Sequence, residues 1–262
     1  MLGPMKVTVV LPAYNEERDL PILLERLGST LTNANLQFQI IVVDDGSQDR
    51  TADVARDAAR RWPVEIVSHS QNQGLGGAVR TGLTEAMRDD GAVILMDSDN
   101  SHDPALILPL LEKLGEGLDV VIASRFARGG GMIGVSIPRR ILSYSASFAM
   151  RFFIGYPGIS DYSSGYRAYR ASALRLMRDT YGTKLLEENG FACMLELLVK
   201  LKNINGLAGE IPLMLRYDLK LGKSKMRVVR TVLRYFMVLR RVRVAQEKTW
   251  PQFDDAMRKV AN

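Results

Sequence analysis

Four apolar residues, Val93-Ile94-Leu95-Met96, run directly into Asp97-Ser98-Asp99-Asn100-Ser101-His102-Asp103-Pro104, and this junction constrains the fold more than any other stretch. A strand that is apolar throughout suits the centre of a sheet covered on both faces, and in such α/β sheets ligands bind just beyond the strand carboxyl ends. Asp97 and Asp99 would stand at that edge. Two carboxylates one residue apart repel unless a cation neutralises them, and Mg²⁺ or Mn²⁺ is commonly held by one or two carboxylates together with substrate phosphates. A strand-end turn with solvated Asp, Asn and Ser side chains has the same composition, so the rest of the chain has to decide between the two.

Strand and helix signals alternate along the chain. Lys6 to Pro12, Phe38 to Val43, Val64 to Val67, Val93 to Met96 and Val120 to Ala123 read as strands, with helical spacing over Asp19 to Leu31, Thr51 to Arg61, the stretch after Gly74 through Met87, and Pro104 to Leu114. This rhythm predicts an α/β chain: a doubly wound, mostly parallel sheet with right-handed crossovers and helices on both faces. Three strand ends carry unusual chemistry: Pro12-Ala13-Tyr14-Asn15-Glu16, Asp44-Asp45-Gly46-Ser47 and Asp97-Ser98-Asp99. Converging on one sheet edge, they form a site. The glycines at 74, 76 and 77 match neither a Walker loop nor the dinucleotide fingerprint and read by themselves as a helix-entry turn.

Length and charge narrow the function classes. The chain has 262 residues, 47% of them apolar, enough for a full core, and its one cysteine, Cys193, excludes an intramolecular disulfide framework and a cysteine-rich metal site. No apolar run of about 18 residues occurs and no signal-peptide pattern precedes the first strand, so a cytoplasmic location is expected. Between Arg216 and Arg243 ten Lys or Arg residues face one acid, Asp218; that segment carries +9 of a net +6 and leaves −3 elsewhere. Such a segment calls for an anionic partner: a membrane surface, a phosphorylated substrate or nucleic acid. Ile141 to Ile154 reads as a Ser-containing apolar helix suited to lying beside a lipid tail. Val228 to Val244 reads as an amphipathic helix, with Arg227, Arg230, Arg234 and Arg241 on one face and Val229, Val232, Leu233 and Phe236 on another. A core-packed helix with a charged outer face has the same pattern; the expectation taken forward is peripheral association with an anionic membrane surface.

The motifs Pro12-Ala13-Tyr14-Asn15-Glu16, Val42-Val43-Asp44-Asp45-Gly46-Ser47, Asn72-x-Gly74-x-Gly76 and Asp97-Ser98-Asp99, in this order, resemble glycosyltransferase family 2, and within it the dolichyl-phosphate mannose synthase branch. Ser124-Arg125-Phe126, Asp161-Tyr162-Ser163-Ser164-Gly165-Tyr166-Arg167, Glu188-Asn189-Gly190-Phe191 and Gly222-Lys223-Ser224-Lys225 match the same branch. The resemblance implies a GT-A catalytic domain over residues 1–226, a nucleotide-sugar half to about 125 and an acceptor half beyond, followed by a basic helical tail over 227–262. It implies an inverting, metal-dependent transfer of a hexose from a nucleoside-diphosphate sugar, of the GDP-mannose or UDP-glucose kind, to a polyprenyl phosphate. Carried over residue by residue, Pro12, Tyr14, Glu16 and Asp44 would contact the nucleoside, with Asp45 a candidate by adjacency. Asp97, Ser98 and Asp99 would meet the diphosphate, and Asp97, Asp99 and Ser101 would hold Mg²⁺ or Mn²⁺. Arg125, Arg139, Arg140, Ser143, Lys220 and Lys225 would hold the acceptor phosphate. Two positions depart from the branch: Ser101 stands where Gln is typical, and Leu219 where Arg is typical, with Lys220 beside it.

A phosphate acceptor is already ionised and needs cations; a hydroxyl acceptor needs a base, and Asp161 and Glu188 are the carboxylates the motifs offer. A soluble transferase with a hydroxyl acceptor is therefore the alternative. A nucleic-acid-binding role is the distant one, because the basic segment lacks a recognition motif and interleaved aromatic residues. No nucleic acid is expected as a partner.

Overall fold

The computed structural model describes residues 5–222, 231 and 233–242. Its main sheet has seven strands: β1 Val7–Ala13, β2 Phe38–Asp44, β3 Val64–Ser68, β4 Ala92–Leu95, β5 Val120–Ser124, β7 Arg167–Arg170 and β8 Ala208–Pro212, in the order β3-β2-β1-β4-β7-β5-β8. A short parallel pair, β6 Gly131–Ile133 and β9 Met214–Arg216, lies apart from it. Among the described residues, the helices α1 Leu20–Asn33, α2 Thr51–Ala58, α3 Leu75–Ala86, α4 Ile107–Gly115, α5 Ile137–Ile154, α6 Ala171–Tyr181 and α7 Cys193–Asn203 accompany them, with a further helical segment near the C-terminus.

Side chains alternate across a strand, and here both faces are buried. Val10, Val93, Leu95, Val120 and Ile122 pack on one side with α3, α6 and α7. Val9, Leu11, Ile94 and Val121 pack on the other with α1 and α4. A doubly covered sheet explains why these strands read as continuous apolar runs. The expected parallel order holds for β3-β2-β1-β4 and for β5-β8, while β7 runs antiparallel between β4 and β5.

Two expected helices change shape. The Pro104 to Leu114 stretch opens with a tight 3₁₀ turn at Pro104–Leu106, whose first turn Asp103 caps through the Ala105 N–H, before α4 begins. The C-terminal segment is helical over 233–242 and packs on the domain, with Tyr235, Val238, Leu239 and Val242 buried in the α3–α7 core. No helix of the described residues is long and apolar enough to cross a membrane.

Candidate active site

The carboxyl ends of β1, β2 and β4 lie side by side. Ala13 is in register with Asp44, and Val10 with Leu95, so the three following turns meet around a cavity of about 660 Å³. Ser98 Oγ donates to the Pro12 carbonyl at 2.8 Å, tying the third turn to the first. Pro12, Tyr14, Glu16 and Ser98 all line the cavity. Of the two adjacent carboxylates expected near the nucleoside, Asp45, the candidate by adjacency, lines the cavity and Asp44 does not. Successive residues of an extended chain point to opposite faces; Asp44 turns to accept the Ser47 N–H at 3.1 Å, and Asp45 is the one that reaches the cavity. Asp45 also accepts the Gln73 and Gly74 N–H groups at 2.9 Å and meets His69 Nδ1 at 2.7 Å, so the end of β2 anchors the glycine loop. That loop docks tightly: Gly76 N donates to the Asn189 carbonyl at 2.8 Å, and a Cβ on Gly76 would lie 1.8 Å from the Glu188 carbonyl oxygen.

Asp97 and Asp99 both line the cavity. Asp99 is nearly buried; its Oδ1 accepts the Ser101 N–H at 3.2 Å and the Ser101 hydroxyl at 2.5 Å, and its Oδ2 takes Lys220 Nζ at 2.5 Å. Burial works against the Asp99 charge, but Lys220, His102 and the hydrogen bonds from Lys220 and Ser101 outweigh it and hold Asp99 below the ordinary carboxylate range. Burial raises Asp97 above that range, with Asp99 adding to the rise and His102, Lys220 and Arg125 opposing it. The Asp97 carboxylate is 38% exposed to the cavity, which limits the rise. His102 is buried here: Nδ1 accepts the Asp97 N–H at 3.3 Å and the ring stacks on Tyr166 at 4.9 Å. A Cβ on Gly165 would lie 2.9 Å from Asp97 Oδ1, so the loop leading into β7 brings bare backbone against the carboxylate.

No cluster of three or more His, Cys, Asp or Glu side chains is set to hold a metal among the described residues. Two carboxylates and a hydroxyl facing an open cavity do fit a Mg²⁺ or Mn²⁺ ion that draws its remaining ligands from a diphosphate and water. Asp97, Asp99 and Ser101 would be the protein side of that site.

Arg125 also lines the cavity and lies against Asp161. Nε reaches Asp161 Oδ2 and Nη2 reaches Oδ1, each at 2.8 Å, and Nη2 also donates to Ser163 Oγ at 2.6 Å. Asp161 is fully buried and accepts the N–H groups of Arg125, Ser163 and Ser164. Burial alone would raise its carboxyl, but the Arg125 guanidinium holds it below the usual range. Arg139 lines the cavity and lies 4.9 Å over the Tyr217 ring, donating to its hydroxyl at 3.3 Å. Arg140 and Ser143 do not share that position. Among the described residues of α5 only Arg139 lines the cavity; Arg140, 100° round the helix, is exposed, and Ser143, about a turn along, is half-buried and not among the lining residues. Lys220 belongs to the Asp99 side of the cavity, not to the Arg125 side. Lys225 lies outside the described residues, as do Arg227 and Arg230.

The C-terminal helix is turned the other way round from the expectation. Arg234 pairs with Glu188 at 3.1 Å and Arg241 with Glu196 at 3.0 Å, so these two arginines face the domain. Leu233, Phe236 and Met237 face outward. The carboxylates at 187, 188 and 196 draw the basic face inward, and nothing in the helix's own sequence reveals them. Thr231 and Arg234 consequently line the cavity. Tyr217, Ser163, Gly165 and Asn72 are further lining residues that motif spacing did not assign a role. Asp19 was also missed: it reads as a helix-start residue, yet its carboxylate accepts the Leu221 and Gly222 N–H groups at 2.9 Å.

The model for the family described as glycosyl transferase family 2 matches residues 8–177. A dolichol-phosphate mannosyltransferase of Pyrococcus furiosus is 33% identical over 199 residues, 75% of this chain and 53% of that protein, so the chain spans about half the length of that relative. An undecaprenyl-phosphate mannosyltransferase of Micrococcus luteus is 32% identical over 224 residues, 85% of this chain and 88% of that protein. Among solved structures, glucosyl-3-phosphoglycerate synthase from Mycobacterium tuberculosis, in complex with Mn²⁺ and uridine-diphosphate-glucose, aligns with a TM-score of 0.65 at 22% identity over 90% of this chain and 78% of that one.

Proposed function

This chain belongs to glycosyl transferase family 2 and has the GT-A fold, and from that premise we propose that it moves a hexose, with inversion, from a nucleoside-diphosphate sugar to a polyprenyl phosphate. The observation that carries the reading is the state of the two carboxylates on the acceptor side. A hydroxyl acceptor must lose its proton to a base within reach. Asp161 is fully buried and locked to Arg125, and Glu188 is paired with Arg234. What lines that side is cationic: Arg125 and Arg139. A lipid phosphate, ionised at neutral pH, needs nothing more. Its oxygen forms the new bond to the anomeric carbon as the bond to the diphosphate breaks, the nucleoside diphosphate leaves, and no proton moves. Pro12, Tyr14, Glu16 and Asp45 hold the nucleoside; Arg125 and Arg139 hold the acceptor in line. A divalent ion, when bound through Asp97 and Asp99, supplies charge neutralisation for the departing diphosphate. The names of the Pyrococcus and Micrococcus relatives support a polyprenyl-phosphate acceptor.

The same proposal includes work at a bilayer surface. Ile137, Ile141, Tyr144, Phe148 and Phe152 recur at helical spacing and are exposed, Phe152 at 80%. Phe153 meets Phe236 edge to face at 6.1 Å, which joins this stripe to the outward Leu233, Phe236 and Met237. Neither α5 nor 233–242 carries an acid, and Arg140, Arg151 and Arg240 are exposed along them. A contiguous apolar surface with a basic fringe suits the interface of an anionic bilayer. Attachment through apolar burial replaces the attachment through a basic stripe suggested by the sequence.

The test offers the purified protein GDP-mannose and UDP-glucose with Mn²⁺, and two acceptors, a short polyprenyl phosphate and 3-phosphoglycerate. Label from the sugar should appear in the organic phase with the lipid. Label confined to the water-soluble acceptor would refute the proposal.

A further inference from the structure

Lys220 is bound in a place that its sequence position did not suggest. Its ammonium sits 2.5 Å from Asp99 Oδ2, with the two side chains only 8% and 12% exposed. Ser101 occupies the other oxygen of Asp99 through both its N–H and its hydroxyl. Every oxygen of Asp99 is thus engaged by the protein itself. The main chain behind Lys220 is pinned, because Leu221 and Gly222 donate to the buried Asp19 carboxylate. The lysine therefore reaches into the site from a fixed base. A lysine is a compact point charge on a flexible four-carbon stem, so its ammonium can change partner while that base stays still.

We propose that Lys220 is a resident counter-cation of the Asp97–Asp99 site: it holds the position on Asp99 that an incoming divalent ion needs, and passes to the diphosphate when ion and nucleotide bind together. This rests on the reading of Asp97 and Asp99 as the carboxylates that meet metal and diphosphate. A metal ion arriving alone has to displace an ammonium and leave it without a partner in a nearly closed pocket, which costs free energy. A diphosphate arriving with it gives the ammonium a new anion at once. Ion and nucleotide then strengthen each other's binding, and the coupling is reciprocal by linkage. Lys220 also sits 5.8 Å from the Tyr217 ring centroid, the ring that Arg139 covers, so the displaced charge stays inside the cavity.

The test measures Mn²⁺ binding by the paramagnetic signal of the free ion, with and without GDP or UDP, in the wild type, Lys220→Met and Lys220→Arg. Melting curves check folding, and Lys220→Gln stands in if the methionine variant is poorly folded. With Mn²⁺ alone, Lys220→Met should bind at least about tenfold tighter than the wild type, within the usual span of coupling between sites. The gain in Mn²⁺ affinity on adding nucleotide should shrink by a similar factor. Lys220→Arg, which keeps the charge, should follow the wild type. Unchanged or weaker Mn²⁺ binding by the neutral variants, in proteins that still bind Mn²⁺ more tightly with nucleotide, overturns this inference and leaves the metal site standing. A wild type that takes up no Mn²⁺ with either nucleotide overturns the metal site and the inference with it.

Discussion

Replacing Asp161 by Asn tests how the acceptor side is built. The carboxylate is fully buried and receives two side-chain bonds from Arg125 at 2.8 Å together with the N–H groups of Arg125, Ser163 and Ser164. An amide offers one acceptor oxygen, so at least one edge of the residue then presents N–H to N–H, either toward Arg125 or toward the Ser163–Ser164 turn. Removing one charge of a buried pair costs about 3–5 kcal/mol, a large part of the roughly 5–15 kcal/mol that holds a domain together. For a chain of this size that is a fall in Tm on the order of 10 °C. Urea unfolding followed by circular dichroism measures it, and adding Arg125→Met to Asp161→Asn should recover about 1–3 kcal/mol, because the two sites share one interaction. The pH dependence has a fixed sign. A carboxyl held low in the folded protein contributes stability that is complete above the unfolded carboxylate value and is lost as pH falls through the folded one. The wild-type advantage over Asp161→Asn should therefore be full at neutral pH and fade below about pH 4. A variant within about 1 kcal/mol of the wild type at pH 7, or an advantage that grows in acid, would refute the reasoning.

Arg139→Ala should lower lipid-phosphate transfer on the order of a hundredfold while nucleotide affinity by calorimetry stays within about twofold, since it removes acceptor positioning alone; parallel losses in both would contradict its place. Gly165→Ala, which pushes a methyl toward Asp97 Oδ1, should reduce kcat with a melting temperature within a few degrees of the wild type, and full activity would mean that Asp97 yields freely. Phe148→Ser with Phe152→Ser should cut liposome flotation about tenfold or more, for loss of about 2 kcal/mol per buried ring, with wild-type binding largely kept at high salt. Binding abolished by salt, or a dimer by light scattering that the same substitutions dissolve, would assign that face elsewhere.

The strands that define the site were legible because their physics is local. Val7–Ala13, Phe38–Asp44, Val64–Ser68 and Val120–Ser124 match the apolar runs to within a residue at either end, and the polar ends of β1, β2 and β4 follow from strand order once the sheet is parallel. β7 was not legible. Arg167–Arg170 reads Arg-Ala-Tyr-Arg, and its first arginine is fully buried only because the carbonyls of Tyr162, Ser164 and Met194 receive its guanidinium. Polar burial depends on partners distant in the chain, and no local pattern carries them. The same holds for Arg125 with Asp161, Lys220 with Asp99 and Arg234 with Glu188. Motif resemblance pointed to many of the residues that line the cavity; it did not tell that Asp45 and not Asp44 lines it, since that turns on the direction of one side chain at a strand end.

Asp19 closes the molecule across 202 and 203 residues of chain through its bonds to Leu221 and Gly222. Closing so large a loop is slow and comes late. On a ribosome, β1, β2 and β4 emerge early and can pair while residue 220 is still unmade. At that stage Asp99 lacks the lysine that later pairs with it. A carboxylate made early in synthesis therefore waits 121 residues for its ammonium, and a chain halted before residue 220 would leave Asp99 without it.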